Sequence, residues 1–573
     1  MAETLISPGV LARENDQSFV TSQPVERGAA IIGPAVLGPV EKPTLISSFS
    51  SYQAIFGGAL ESGSGEFTYL TSIAANQYFQ NGGNSLLVTR VTSGSFTSAT
   101  SSAVVGQTGS VVPNAFTLET ISEGAIMNTG TTEITNGALV SGSTDNLRWE
   151  IAASNSASGV FSLLIRRGDD TNNNRVVLES YNNISLDPFA SNYISRAIGD
   201  ISSNLVTEGV DTFLQESGSF PNISNYVRVK SVNNPTPRYF NNDGSAKIQF
   251  TGSMPQVGSG SFNGAVGSNI PTNRTANFYQ NINATDTQGL VGSDYDNAIA
   301  LLANQDDYQF NVISVPGLST QHQTAQITSV MNNSISRGDS IAVIDLVGYN
   351  QPINAVTQQA GGIDNSYTAT YWPWLQTVDP NSGQLVYIPA STFIPGVYAF
   401  TDASSDPWFA PAGITRGGMG QVVRAERKLT STNRDTLYEA NVNPIATFPS
   451  QGVVVFGQKT LQKAASALDR VNVRRLLITL KGYISQIADN LVFEQNTIAT
   501  RQNFLTQVNP YLESVQQRQG LFAFKVVMDE SNNSPDVIDR NELVGQIFLQ
   551  PTRTAEFILL DFNVLPTGAT FPA

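Results

Sequence analysis

The chain's 573 residues leave room for about three to five domains, and a 40% apolar share suits globular folding rather than disorder. Only 13% of the residues are charged, against about 25% in an average protein, and the net charge of −15 argues against a nucleic-acid coat or a polybasic membrane binder. The absence of Cys excludes disulfides, thiolate metal sites and thiol nucleophiles; a single His, His322, excludes a two-histidine metal site and would have to serve any Ser–His–Asp triad.

In chain order, residues 1–27 hold scattered apolar residues that cannot close a core, and read as an arm. No basic n-region precedes Arg13, and the apolar run Ala29–Val40 is broken by Gly33, Pro34, Gly38 and Pro39. The expectation is a soluble chain made in the cytosol, without secretory signal or membrane insertion. Over 28–92, a strand at Ala29–Ile32, a short strand at Thr44–Phe49, helical spacing at Leu70, Ile73, Ala74, Gln77 and Tyr78, and a strand from Leu86 predict a βαβ unit.

The texture then changes. Half of residues 93–164 are Ser, Thr, Gly or Asn, and only six are charged. Alternating stretches at 161–165, 175–178, 226–230 and 248–250 predict inserted all-β domains over 93–290, in preference to a flexible linker. The α/β rhythm resumes over 291–440, with a strand at Asn311–Val315, a helix at Thr320–Asn333 and a strand at Ile341–Leu346. Over 441–555 come helices from Val473 to Phe493 and from Asn496 to Gly520, bent near Pro510. A strand at Leu521–Met528 and a short helix at Asn541–Leu549 follow. Residues 556–573 open with a strand, Glu556–Val564, apolar on nearly both faces. The predicted class is α+β or α/β multidomain: a mixed α/β core built from the N- and C-terminal parts, with all-β insertions.

Chemistry-bearing motifs are sparse. The 311–346 unit supplies one Gly at its turn and no phosphate-binding loop, so its role is structural, and His322 reads as an exposed helix histidine. Arg167-Gly168-Asp169 and Arg337-Gly338-Asp339 read as turns. The charge pattern says more. Between Arg416 and Lys481 lie eleven basic and four acidic residues, a net of +7 inside an acidic chain, which reads either as a solvated helix face or as docking to an acidic protein surface.

In their order, several motifs resemble the sheath protein of contractile phage tails. They include Ser7-Pro8-Gly9-Val10, Gly28 to Pro34, Asn76-Gln-Tyr-Phe-Gln-Asn-Gly-Gly83 before Thr89-Arg90-Val91, Trp408-Phe-Ala-Pro-Ala-Gly413 and Asn443-Pro444-Ile445. Ser51-Tyr52 to Phe56-Gly57, Gly452 to Gly457, Val473-Arg-Arg475 with the two long helices, Asp536 to Glu542 and the final strand complete the set. The resemblance covers about two thirds of the chain and leaves 93–290 unmatched. It implies a structural virion component rather than an enzyme, without catalytic residue, metal or cofactor. Its implied partners are other sheath subunits in stacked hexameric rings, the tail tube, and baseplate and tail terminator proteins, with assembly in the host cytoplasm. Terminal arms would add strands to neighbouring subunits, through Phe19, Val20 and Val25 at one end and Phe557, Leu559 and Phe562 at the other. Lys459, Lys463, Arg470, Arg474 and Arg475 are the candidates to face an acidic tube. A cellular contractile injection sheath, a virion adhesin and a sugar-active enzyme with paired carboxylates such as Asp306-Asp307 or Asp169-Asp170 are the alternatives.

Overall fold

The computed structural model describes residues 27–62, 65–109, 111–209, 211–267 and 278–558. The described residues form two compact units: a large one from 27–481 with 553–558, and a small one from 482–552.

The large unit is built on an eight-stranded sheet. Its order is Thr44–Ile46, Leu86–Arg90, Ala29–Gly33, Val312–Ser319, Ile341–Asp345, Thr368–Trp372, Asn443–Phe448 and Gly452–Val455. The six inner strands run parallel and the two edge strands antiparallel. Strands such as Ala29-Ala-Ile-Ile-Gly33 and Ile341-Ala-Val-Ile-Asp345 are apolar without alternation because both faces are covered. Ala29, Ile31, Ile341 and Val343 pack on one side with the helices Leu70–Gln80 and Ile394–Ser404. Ala30, Ile32, Ala342 and Ile344 pack on the other with Asp296–Leu301, Thr324–Arg337 and Ile353–Gly361. Each Ile or Val among them contributes about 1.5–3 kcal/mol by leaving water. Gly338, at φ 67°, ends the helix Thr324–Arg337 in a left-handed turn that a side chain would strain.

The polar stretch folds into a seven-stranded antiparallel sheet, from Val177–Ile184 at one edge to Val227–Val232 at the other. Its core holds Phe116, Trp149, Ile151, Phe161, Leu163 and Phe262. The insertion has a neck: the Thr97 amide donates to the Val266 carbonyl at 3.2 Å, and the Val266 amide to the Thr97 hydroxyl at 3.0 Å. A side hairpin, Ser202–Glu208 with Asp211–Ser217, reaches the helix Asp296–Leu301.

Several expectations need correction. Residues 278–290 belong with the main sheet rather than the insertion, because Tyr279 and Leu290 sit in its two packing layers and the Leu70 amide donates to Gln288 Oε1 at 2.9 Å. Residues 441–481 likewise stay with the large unit, since two of its strands lie there. Ile248–Thr251 is a helical turn, not a strand. The expected helix at 541–549 is instead the strand Gln546–Pro551, whose Ile547, Leu549 and Pro551 point inward by twos, while the short helix lies earlier, at Pro535–Asp539. His322 sits half-buried in the turn before its helix, where burial lowers its pKa. Residues 552–558 form no strand, and Phe557 is 83% exposed within the single chain. Phe19, Val20, Val25, Leu559 and Phe562 lie outside the described residues.

In the small unit, the helix Ile498–Gln517 packs Val508, Leu512 and Val515 inward; the two-stranded ribbon Leu521–Val527 with Gln546–Pro551 follows it. Phe522 and Phe548 are 74% and 56% exposed on that ribbon.

Candidate functional site

Open parallel sheets bind ligands beyond the carboxyl ends of their strands. Here that place is filled. Asp345 ends its strand fully buried, accepting from the Ser391 amide at 3.1 Å and from the Ser391 hydroxyl. Burial pushes its carboxyl up to about 7, against the two Ser391 hydrogen bonds. Gln288 closes over Gly317 by donating to the Pro316 carbonyl at 3.3 Å, and the void that remains is about 10 Å³, room for one water at most. A wider cleft of about 220 Å³ lies between Gln53, Ile55 and Leu37 of the main body and Ile121, Met127 and Tyr226 of the inserted sheet. Asp145 is the one ionisable carboxylate on its wall. Among the described residues, no group of three His, Asp or Glu could hold a metal ion, and no helix is long and apolar enough to cross a membrane.

The basic segment is the remaining candidate, and most of its charge turns inward. Arg474 is 4% exposed; its guanidinium stacks on Tyr367 at 3.9 Å and donates to the Ser366 hydroxyl at 2.5 Å. Arg475 is 3% exposed, pairs with Asp402 at 2.5 Å and lies 4.7 Å above the Tyr398 ring. These two cannot serve as surface cations in this fold, because residues 471–475 open a helix that packs onto the main body. Arg470 bridges Asp469 and Glu556 at 3.1 and 2.7 Å. The Lys459 ammonium lies 4.2 Å above the Tyr438 ring and donates to the Tyr438 carbonyl at 2.7 Å. Lys463 alone of the five is exposed, with its ammonium donating to the Gly361 carbonyl at 2.7 Å. Sequence shows that these cations cluster; it does not show that each has an aromatic ring or carboxylate waiting for it elsewhere in the chain.

The other feature with assembly potential is the small unit's ribbon. Its two strands pair only with each other among the described residues, so neither has a second strand along its outer edge.

Residues 288–461 match the phage tail sheath protein central domain, and residues 463–564 match the phage tail sheath C-terminal domain. Over these residues, just under half of the chain, it is similar to the phage tail sheath family. The tail sheath protein of Vibrio phage KVP40 is 30% identical over 362 residues, which are 58% of this chain and 51% of that protein. The tail sheath protein of Enterobacteria phage T4 is 34% identical over 230 residues, 40% of this chain and 35% of its own. The chain thus spans about half, or less, of the length of these sheath relatives. A solved sheath tail protein from Listeria innocua shares the fold, with a TM-score of 0.51, 11% identity, and coverage of 92% of this chain and 96% of that one.

Proposed function

We propose that this chain is a structural subunit of a contractile phage tail sheath, not an enzyme. In this reading it polymerises as stacked hexameric rings around a tail tube, in an extended metastable state whose shortening drives the tube through the host envelope. The energy resides in the lattice, so no nucleotide site is required. The carrying observation is the sheath-family match over residues 288–564. The small unit's open-edged ribbon supports the reading independently, since strand addition joins subunits through main-chain hydrogen bonds while leaving each donor's body free to rotate. Residues 1–27 and 556–573 are the proposed donors, to different neighbours, with Phe19, Val20, Val25, Phe557, Leu559 and Phe562 setting the register.

The further partners in this reading are the tail tube, the baseplate and the tail terminator, met in the host cytoplasm and retained in the virion. Lys463, which is exposed, is the strongest of the tube-facing candidates. The inserted sheet decorates the outside of the sleeve. Electron microscopy of the purified chain tests the proposal: helical tubes are expected. Deletion of residues 2–22 should leave a folded, soluble subunit that forms no long tubes. Normal tubes from that truncation would reject strand exchange by the N-terminal arm, and a full-length chain that never polymerises would reject the sheath reading.

A further inference from the structure

After the ribbon ends at Pro551, the chain crosses back to the large unit and takes no regular secondary structure over 552–558. Side chains hold it there. Both carboxylate oxygens of Glu556 are engaged: Arg470 Nε donates to Oε1 at 2.7 Å, Gln458 Nε2 to the same oxygen at 3.0 Å, and the Tyr438 hydroxyl to Oε2 at 2.6 Å. Gln458 Nε2 also donates to the Thr554 hydroxyl at 2.6 Å, so two residues of the segment share one anchor.

The three donors come from separate stretches that are themselves braced. Main-chain bonds from Thr460 to Asp469 (3.0 Å) and from Val471 to Gln458 (2.8 Å) set Gln458 and Arg470 side by side. Asn443, inside the main sheet, clamps the next residue: its side chain accepts from the Lys459 amide at 2.6 Å and donates to the Lys459 carbonyl at 2.7 Å. Lys459 in turn grips Tyr438 through its ring and carbonyl. Asp469 holds the other side of the Arg470 guanidinium at 3.1 Å. Burial alone would raise the Glu556 carboxyl's pKa, but the hydrogen bonds from Arg470, Tyr438 and Gln458 outweigh it and hold the group below its ordinary value. A carboxylate gripped by a guanidinium and a phenol makes charge-assisted hydrogen bonds, about twice as strong as neutral ones.

We propose that Tyr438, Gln458 and Arg470 form a carboxylate socket whose ligand is Glu556, and that this socket fastens the C-terminal segment to the large unit. Among the described residues of the segment, Glu556 and Thr554 share this one socket, so the tether is a single releasable point. This stands whether or not the chain builds tubes. It also accounts for part of the basic segment: Arg470 and Lys459 serve the chain's own tail.

Trypsin provides the test on the full chain, because Arg553 is exposed and lies just before the tethered residues, while Arg540 in the small unit serves as an internal reference. Cleavage after Arg553 requires the segment to open locally. Glu556→Ala should speed it by about tenfold or more relative to Arg540, the loss expected for removing charge-assisted hydrogen bonds. Arg470→Gln should do the same, and the double variant should add little, because both substitutions empty one socket. Glu556→Gln, which keeps shape and loses charge, should fall between. Unfolding midpoints should stay close to that of the unchanged chain. Unchanged cleavage in Glu556→Ala and Glu556→Gln, or fully additive effects in the double variant, would overturn the proposal. Should Arg470→Gln fail to fold, the two Glu556 variants alone decide it.

Discussion

Arg90, fully buried at the end of its strand, donates to the main-chain carbonyl of Glu123 at 3.1 Å, and so ties the parallel sheet to the inserted one. The same guanidinium serves the carbonyls of Gly38 (2.5 Å) and Val36 (3.4 Å), while the Glu123 carboxylate accepts from the Val40 amide at 3.0 Å and pairs with Lys42 at 3.3 Å. One cation thus closes a turn and fixes a joint between two sheets. Burial lowers its pKa to about 10, which still leaves it charged at neutral pH.

Arg90→Met should therefore destabilise the protein by roughly 3–5 kcal/mol, since the carbonyls of Val36, Gly38 and Glu123 lose a charged donor at once. Denaturant unfolding measures this. A further sign would be a biphasic transition, with the inserted sheet and the main body melting apart. A loss below about 1 kcal/mol would mean that water replaces the guanidinium.

The neck at Thr97 and Val266 places the ends of the insertion within hydrogen-bonding distance. Replacing residues 98–265 with a short glycine linker should leave the main body folded, with a cooperative thermal transition. A longer deletion, to Asn283, should be much worse, because it removes Tyr279 from the packing layer beside the parallel sheet. Equal behaviour of the two deletions would show that 278–283 contributes nothing to that layer.

Asp345 gives a pH dependence whose sign is set by burial. Its folded pKa, about 7, lies above the unfolded value near 3.8. Between those values the unfolded chain releases a proton that the folded chain keeps, so stability falls as pH rises from about 4 to about 7 and levels off above. Asp345→Asn keeps an acceptor for Ser391 and removes the titration. The stability difference between this variant and the unchanged chain should be small near pH 4 and should grow to a few kcal/mol in the variant's favour at pH 8. A difference that does not vary with pH would place the Asp345 pKa near its ordinary value.

Charge reversal within the basic segment should separate buried from exposed cations. Arg475→Glu puts a carboxylate against Asp402 and should lower the melting temperature by many degrees, as should Arg474→Glu beside Tyr367. Lys463→Glu should change stability by less than about 0.5 kcal/mol. If the proposed sheath reading holds, that variant should also weaken assembly on tubes while sparing tube-free polymers.

Much of the fold is legible in the sequence where hydrophobic runs are long. Ala29-Ala-Ile-Ile32 and Ile341-Ala-Val-Ile344 announce a doubly covered parallel sheet, and the Ser, Thr, Gly and Asn texture marks the inserted antiparallel one. Gln546–Pro551 escapes because Ile547, Phe548 and Leu549 run together between Gln546 and Gln550, a short apolar run that a helix shares. Residues 278–290 escape because they pack through isolated side chains, Tyr279 and Gln288, rather than through a periodic face. The charge cluster is visible in the sequence, but its meaning depends on distant partners: Glu556 for Arg470, Tyr367 for Arg474, Asp402 for Arg475. No local pattern encodes such pairs.

The pairing of Ala29 with Val312 has a consequence for how the protein is made. The ribosome delivers Ala29–Gly33 and Leu86–Arg90 early, then the whole antiparallel insertion, whose strands pair with one another, and only afterwards Val312–Ser319. Domains form as units in order of synthesis, and distant pairings form late. The nascent chain therefore passes through a stage at which the inserted sheet is complete while Ile31 and Ile32 line an unfinished apolar edge. That interval is when the growing chain is most prone to stick to its neighbours, and when a holding chaperone would matter most.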